Sequence, residues 1–397
     1  MPGAVAFCVT GLIARSGGSM TGIGIVLMVS AQYDSYGLAG AVAASNSVAW
    51  AVGAAGMSNL VDRFGQRRVM LPGAMVSALF LAVLVALGSV RAPAWTLFPA
   101  AVVCGLTAGS PGALVRSRWN YVLKDPQLLH TAFSLESTLD ELTFVVGPVL
   151  ATLLATQVAP GAGLIAPICL GAVGALWFYS LRSTEPPVAP RRAAAGAGAA
   201  GRVLLLMPGV AAVAGVTMMV GWLFGATDVS VVAATEAWGV KGLAGLVLGA
   251  VSAGSALGGL GYGSRHWVSS TVRRWVLVLL ALAACTLALP FVPGAAILAA
   301  AGFAAGFAIA PTLINLNTLM QSLVPVERLT EGLAWVATSL GVGVALGSTL
   351  AGQLIDVASF RAGFVTVAAA GVTAALAAVV SARGVARAAR RSVRPPL

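Results

Sequence analysis

Twelve apolar runs, each near the ~20 residues a helix needs to cross a bilayer, leave this chain few ways to fold. They lie near residues 4–31, 39–61, 69–90, 94–116, 132–157, 161–181, 203–233, 241–264, 275–293, 295–320, 332–355 and 362–381. In lipid every backbone N–H and C=O must be satisfied internally, so only helices or a closed barrel can span it. A barrel would show alternating segments of about ten residues, which this sequence lacks. Composition agrees: 9% of residues are charged, against roughly 25% in a soluble domain. The expected class is an all-α polytopic membrane protein with twelve transmembrane helices. The first run is too long for the core of a signal peptide and has no small-residue cleavage site after it. It is expected to stay as an uncleaved insertion signal.

Basic residues orient the spans. With the amino terminus in the cytoplasm and alternation from there, nineteen of the 23 Lys and Arg fall in cytoplasmic joints and the tail. Arg91, Lys241 and Arg361 fall outside, and Arg15 lies within a span. That bias is the positive-inside pattern. It predicts a multi-pass protein of the plasma (cytoplasmic) membrane with both termini cytoplasmic. It also accounts for the net charge of +11 as topology and contact with anionic lipid. The basic residues are scattered over joints with no soluble module, which argues against nucleic-acid binding.

Other chemistries find little support. Cys8, Cys104, Cys169 and Cys285 sit singly in apolar runs, without metal-ligand spacing, and no metal site is expected. His130 and His266 sit at cytoplasmic joints and read as surface residues. No Gly-x-x-x-x-Gly-Lys-Ser/Thr loop is present, so ATP is not expected as the energy source. No enzyme activity and no cofactor are expected.

The chain repeats itself. Gly37-Leu38-Ala39-Gly40 opens the second span and Gly242-Leu243-Ala244-Gly245 the eighth. Arg67-Arg68 and Arg273-Arg274 close the loops that follow those spans. Both offsets are about 205 residues. The organisation expected is two pseudo-symmetric six-helix bundles, at 1–182 and 203–381. A Pro-, Arg- and Ala/Gly-rich cytoplasmic linker joins them over 183–202, and a basic tail covers 382–397.

Between the second and third spans stands Ser58-Asn59-Leu60-Val61-Asp62-Arg63-Phe64-Gly65-Gln66-Arg67-Arg68. In that place it resembles the loop Gly-x-Leu-x-Asp-Arg-x-Gly-x-Arg/Lys-Arg/Lys of the major facilitator superfamily of secondary transporters. Ser58 stands for the leading Gly, which would crowd a close helix contact. Two six-helix halves with a basic linker extend the resemblance over the chain. It implies a cytoplasmic gate built from Ser58, Asp62, Arg63, Gly65, Arg67 and Arg68. There Gly65 would allow a tight turn. Asp62 would face the amino-terminal end of the eleventh helix, where partial positive charge gathers and Thr330 could cap. The alternative is a loop that only turns the chain. Gly147-Pro148 in the fifth span matches part of the proton-antiporter motif Gly-x-x-x-Gly-Pro-x-x-Gly-Gly, whose flanking glycines are missing here.

Ionisable residues inside spans are costly and face a cavity or a partner. Glu136 and Asp140 are four apart on one helical face, with Glu141 beside them and Arg15 at matching depth in the first span. An Arg15–Asp140/Glu136 cluster near the cavity is expected. Three carboxylates near one Arg could not all stay ionised, so one of them could carry a proton. The alternative is a static ion network, with Arg116 or Arg118 as other partners. In this family the seventh helix lines the cavity, which makes Asp228 a further proton-coupling candidate, unless it sits hydrated near the outer end. Asn46, Trp50, Trp222, Asn315, Asn317 and Trp335 are the cavity candidates for substrate contacts, or else packing residues. Gly245-x-x-x-Gly249 and Gly254-x-x-x-Gly258 predict close helix contacts.

The function expected is export of a small organic compound, drug-like or sugar-like, by proton-coupled alternating access. Protons would be the coupling ion and one chain the working unit. The alternatives are a proton symporter importing a nutrient and a non-transporting receptor or scaffold.

Overall fold

The computed structural model describes residues 3–187, 204, 206–207, 209–265, 267–325 and 328–392. Most of the linker, the last five residues of the tail, His266, and the side chains of His130 and Thr330 lie outside the described residues. Among the described residues all regular structure is helical, and twelve helical stretches are long and apolar enough to cross a membrane.

The first span is two helices, α1 (Ala4–Ser16) and α2 (Gly18–Tyr33), parted at Gly17. Then follow α3 (Tyr36–Phe64) and α4 (Gln66–Ser89). The fourth span is again two helices, α5 (Leu97–Ala108) and α6 (Pro111–Val122). α7 (Pro126–Gln157) and α8 (Ala162–Ser180) complete the first six spans. The later spans are α9 (Val210–Ala237), α10 (Ala244–Gly263), α11 (Thr271–Leu287), α12 (Ala295–Leu323), α13 (Leu329–Val357) and α14 (Phe360–Ser392). Capping side chains mark several starts: Ser35 accepts from Leu38 N–H, Asp125 from Gln127 N–H and Ser270 from Arg273 N–H.

Three boundaries differ from the sequence reading. The fourth span continues to Val122, so Arg116 and Arg118 lie in a helix rather than a joint. α13 starts at Leu329, which puts Thr330 inside the first turn and not at the cap. α14 runs to Ser392, well past 381, because Ala and Arg are strong helix formers and the extension has packing: Val385 is buried, and Ala388 lies against Gly209.

The chain divides into two compact units. The first holds α1 to α8 together with residues 240–249, the opening of the eighth span. Gly245 and Gly249 let that opening approach Val145, Pro148 and Val149 of α7, where a Cβ would meet backbone carbonyls. Within this unit α1 packs on α8, α3 on α5, and α4 on both α5 and α8. Its core includes Phe7, Val115, Trp119, Phe178 and Tyr179.

The second unit holds the rest of the later spans, with α9 packed along α13 and α14. Gly221 and Gly225 of α9 and Gly343 and Gly347 of α13 interlock, each set against the other helix's backbone. Gly254 and Gly258 of α10 do the same with Phe303 and Phe307 of α12. Lipid tails are as apolar as Leu, so helix association here rests on such close van der Waals packing.

Candidate functional site

Arg15 sits in the last turn of α1, where the helix's negative end favours a cation. Its side chain is 7% exposed. Nη2 lies 2.6 Å from Glu136 Oε2, and Nε lies 2.9 Å from Asp140 Oδ1. Glu136 is fully buried, and its other oxygen accepts from Trp119 Nε1–H at 2.7 Å. Asp140 is 30% exposed and holds a second cation, Arg116 of α6, at 2.7 Å. Spacing of four on α7 brings the two acids to one guanidinium, as the sequence suggested.

Two expectations need correction. Glu141 does not join the cluster: one residue turns the helix about 100°, and Glu141 is half-buried with no ion pair among the described residues. Arg116 supplies a second positive charge. The network is therefore two arginines against two carboxylates, and charge crowding by itself gives no reason for one to be neutral. Arg118 does not pair with these acids at all.

The cluster borders a chamber of about 610 Å³ inside the first unit. Its wall takes residues from all six spans, including Arg15, Asn46, Trp50, Ser110, Arg116, Asp140 and Phe144. The fourth span breaks here. Gly109 has φ 63° and ψ −156°, a region essentially reserved for glycine, and Pro111 opens α6 at a first-turn position where its missing N–H costs nothing. Trp50 Nε1–H donates to the Gly109 carbonyl at 2.8 Å, and Asn46 Nδ2–H to the Ala101 carbonyl at 2.9 Å. Both side chains line the chamber while fixing α5. Gly147 of the partial helix-five motif lies against Ser19 and Met20 of α2, and Ser19 Oγ–H donates to the Thr143 carbonyl beside it. Pro148 lies within α7.

In the loop between α3 and α4, Gly65 has φ 88° and ψ 159°, and its N–H donates to the Val61 carbonyl at 2.8 Å. The turn expected of Gly65 thus uses glycine's own conformational region. Gly65→Ala is expected to lower stability by about 1–3 kcal/mol, read as a lower melting midpoint of the purified protein. Ser58, Asp62, Arg63 and Arg68 are exposed, so Ser58 crowds no helix contact. Asp62 has no hydrogen bond or ion pair among the described residues. The Arg67 N–H donates to Glu185 Oε1 at 3.0 Å.

Beneath that loop lies a residue whose role the sequence reading missed. Arg118 is fully buried. Its Nε donates to Gln66 Oε1 at 3.0 Å, and its Nη1 to the Leu181 carbonyl at 2.9 Å and Thr184 Oγ1 at 3.0 Å. Its guanidinium also stacks 3.9 Å from the Phe178 ring centre. One side chain ties the start of α4, the end of α8 and the chain after it. Ser110-Pro111 marks a helix start that puts Arg118 in α6 rather than in a joint, but nothing in the sequence marks its burial.

The remaining candidates belong to the second unit and do not line the chamber. Asp228 is half-buried in α9 with no hydrogen bond or ion pair among the described residues. Asn315 is buried and held at both amide atoms, its Nδ2–H donating to the Pro311 carbonyl and its Oδ1 accepting from Tyr262. Asn317 Nδ2–H donates to the Leu313 carbonyl of its own helix. Trp222 is half-buried with no partner for Nε1 among the described residues, and Trp335 is half-buried.

The comparisons with known proteins agree with this architecture. The nucleoside transporter NupG superposes with a TM-score of 0.76 at 14% identity, covering 96% of this chain and 99% of that one. A bacterial homologue of the human lysosomal transporter Spinster, inward-facing and unoccupied, gives 0.70 at 15% identity over 100% of both chains. A peptide transporter in complex with sulfate gives 0.75 at 12% identity, covering 98% of this chain and 95% of that one. At these identities the likeness is one of fold. No curated protein matches the sequence. The family model of the Major Facilitator Superfamily matches residues 7–330. This chain therefore belongs to the Major Facilitator Superfamily: it is an integral, multi-pass membrane transporter of small molecules, not an enzyme.

Proposed function

We propose that this transporter exports a small organic compound, drug-like or sugar-like, in exchange for protons by alternating access. The observation that carries the reading is the pair of carboxylates inside spans, Glu141 and Asp228, that have no charge partner among the described residues. A lone carboxylate at that depth is costly as a charge, so taking up and releasing a proton there can be tied to the two states of the carrier. Asp140, on the chamber wall and held by two arginines, links such a change to the cargo space. The loop over Asp62–Arg68 serves as the cytoplasmic gate, with exposed Asp62 able to take a partner when that side closes. The chain works as a monomer in the plasma membrane, with both termini and the basic joints at the cytoplasmic face against anionic lipid.

Proteoliposomes with an imposed pH gradient test this reading. Exchange predicts accumulation of a carried compound when the interior is acidic. Asp228→Asn is expected to reduce that accumulation to the level of empty vesicles while leaving gradient-free counterflow intact. Accumulation driven by an alkaline interior would instead identify a proton symporter that imports a nutrient. Full accumulation by the Asp228→Asn and Glu141→Gln variants would remove both carboxylates from the coupling step.

A further inference from the structure

We infer that the chamber of the first unit receives its cargo by a monoanionic group, a carboxylate, held at the amino-terminal end of α6. This deepens the transporter reading and rests on it.

The break in the fourth span leaves a helix beginning at the chamber wall. The first N–H groups of a helix have no partner within it, and the helix end carries partial positive charge. Pro111 has no N–H. Among the described residues no backbone acceptor is found for the N–H of Gly109, Ser110 or Gly112. Ser110 occupies the cap position, where a hydroxyl normally accepts from the first turn. Here it makes no capping bond, and its hydroxyl is free to donate.

The second, independent observation is Arg15. Its side chain is more than nine-tenths buried, yet Nη1 has neither a hydrogen bond nor an ion pair. The two acids are taken by Nε and Nη2. Arg15 and Gly112 both line the chamber, and Nη1 comes within 3.9 Å of the position a Cβ would occupy on Gly112. Arg116 Nη1 lies 3.6 Å from the same point. A buried donor without an acceptor is costly, and the Arg15 Nη1 is one, beside the partly exposed Arg116 and the start of α6 at a cavity large enough for a small molecule.

Charge decides the class. Arg15 and Arg116 balance Glu136 and Asp140, and the helix end adds a partial positive charge. One negative charge suits that corner. A dianion would exceed the small positive excess left at that corner, and a cation would meet two arginines. The rest of the chamber offers Trp50 and Phe144, both substantially exposed. The cargo is thus a small amphipathic organic acid.

The test uses the full chain in nanodiscs, with empty nanodiscs as blank. Benzoate and octanoate are titrated beside benzamide, octanamide and phenyl phosphate. The carboxylates are expected to bind and raise the melting midpoint, at least tenfold more tightly than their amides. Ser110→Ala should weaken benzoate binding about tenfold, the loss expected for a hydrogen bond to a charged group, without lowering the melting midpoint of the free protein. Equal binding of benzamide, tighter binding of phenyl phosphate, unchanged affinity in Ser110→Ala, or no benzoate binding would each overturn the assignment. Benzoate that binds but is never carried in proteoliposomes would overturn the transport reading and leave this site standing. Neutral compounds carried without any benzoate binding would do the reverse.

Discussion

Arg15→Ala is expected to destabilise the protein by about 3–5 kcal/mol, the range for breaking a buried ion pair by removing one partner. The magnitude follows from what stays behind. Glu136 is fully buried and would keep its bond from Trp119 but no cation, while Asp140 retains Arg116 and some access to water. The stranded charge is therefore that of Glu136. Arg15→Ala with Glu136→Gln should recover a substantial part of the lost stability, because a neutral amide can still accept from Trp119 and leaves no unpaired ion. The measurement is the melting midpoint of purified single and double variants. A double variant no more stable than Arg15→Ala would show that the cost lies in lost packing rather than in a stranded carboxylate.

The second large effect is expected at Arg118. Arg118→Ala should cost roughly 2–4 kcal/mol, through three lost hydrogen bonds made by a charged donor and one stacked ring. No carboxylate bonds directly to this guanidinium, so its removal strands no ion, and the cost should fall below that of Arg15→Ala. The damage should be local to one end of the first unit, where Gln66, Leu181 and Thr184 lose a common anchor. A cysteine introduced at the buried Thr184 should react faster with a maleimide in the Arg118→Ala background. Arg118→Lys should not restore protection, since an ammonium cannot reproduce a planar fork reaching three partners at once. Full protection in the lysine variant would show that charge alone holds this end together.

The Arg15 cluster was half legible. Spacing of four on an apolar helix put Glu136 and Asp140 on one face, and depth matched them to Arg15. Arg116 was assigned to a joint because hydropathy falls off before α6 ends. Polar residues inside a bundle look, in one dimension, like residues in a loop. Glu141 was grouped with its neighbours by proximity in sequence, although the helix turns it away. Asn315 looked like a cavity amide, but its Nδ2–H turns back to the Pro311 carbonyl of its own helix and its Oδ1 accepts from Tyr262. The sequence carries no direct mark of which amide binds its own backbone.

Hydrophobic length and composition determined, without any structure, that this is a twelve-helix membrane protein, and the Asp62–Arg68 loop pointed to its family. Those properties are local or additive along the chain: each span is recognisable from its own apolar length, and the loop motif from its own few residues. Tertiary structure alone decided that the fourth span breaks at Gly109, that Arg15 keeps one nitrogen unpartnered at a chamber wall, and that Arg118 is a buried anchor. These depend on which helices meet at what distance, and close packing sets that through many small contacts spread over several spans.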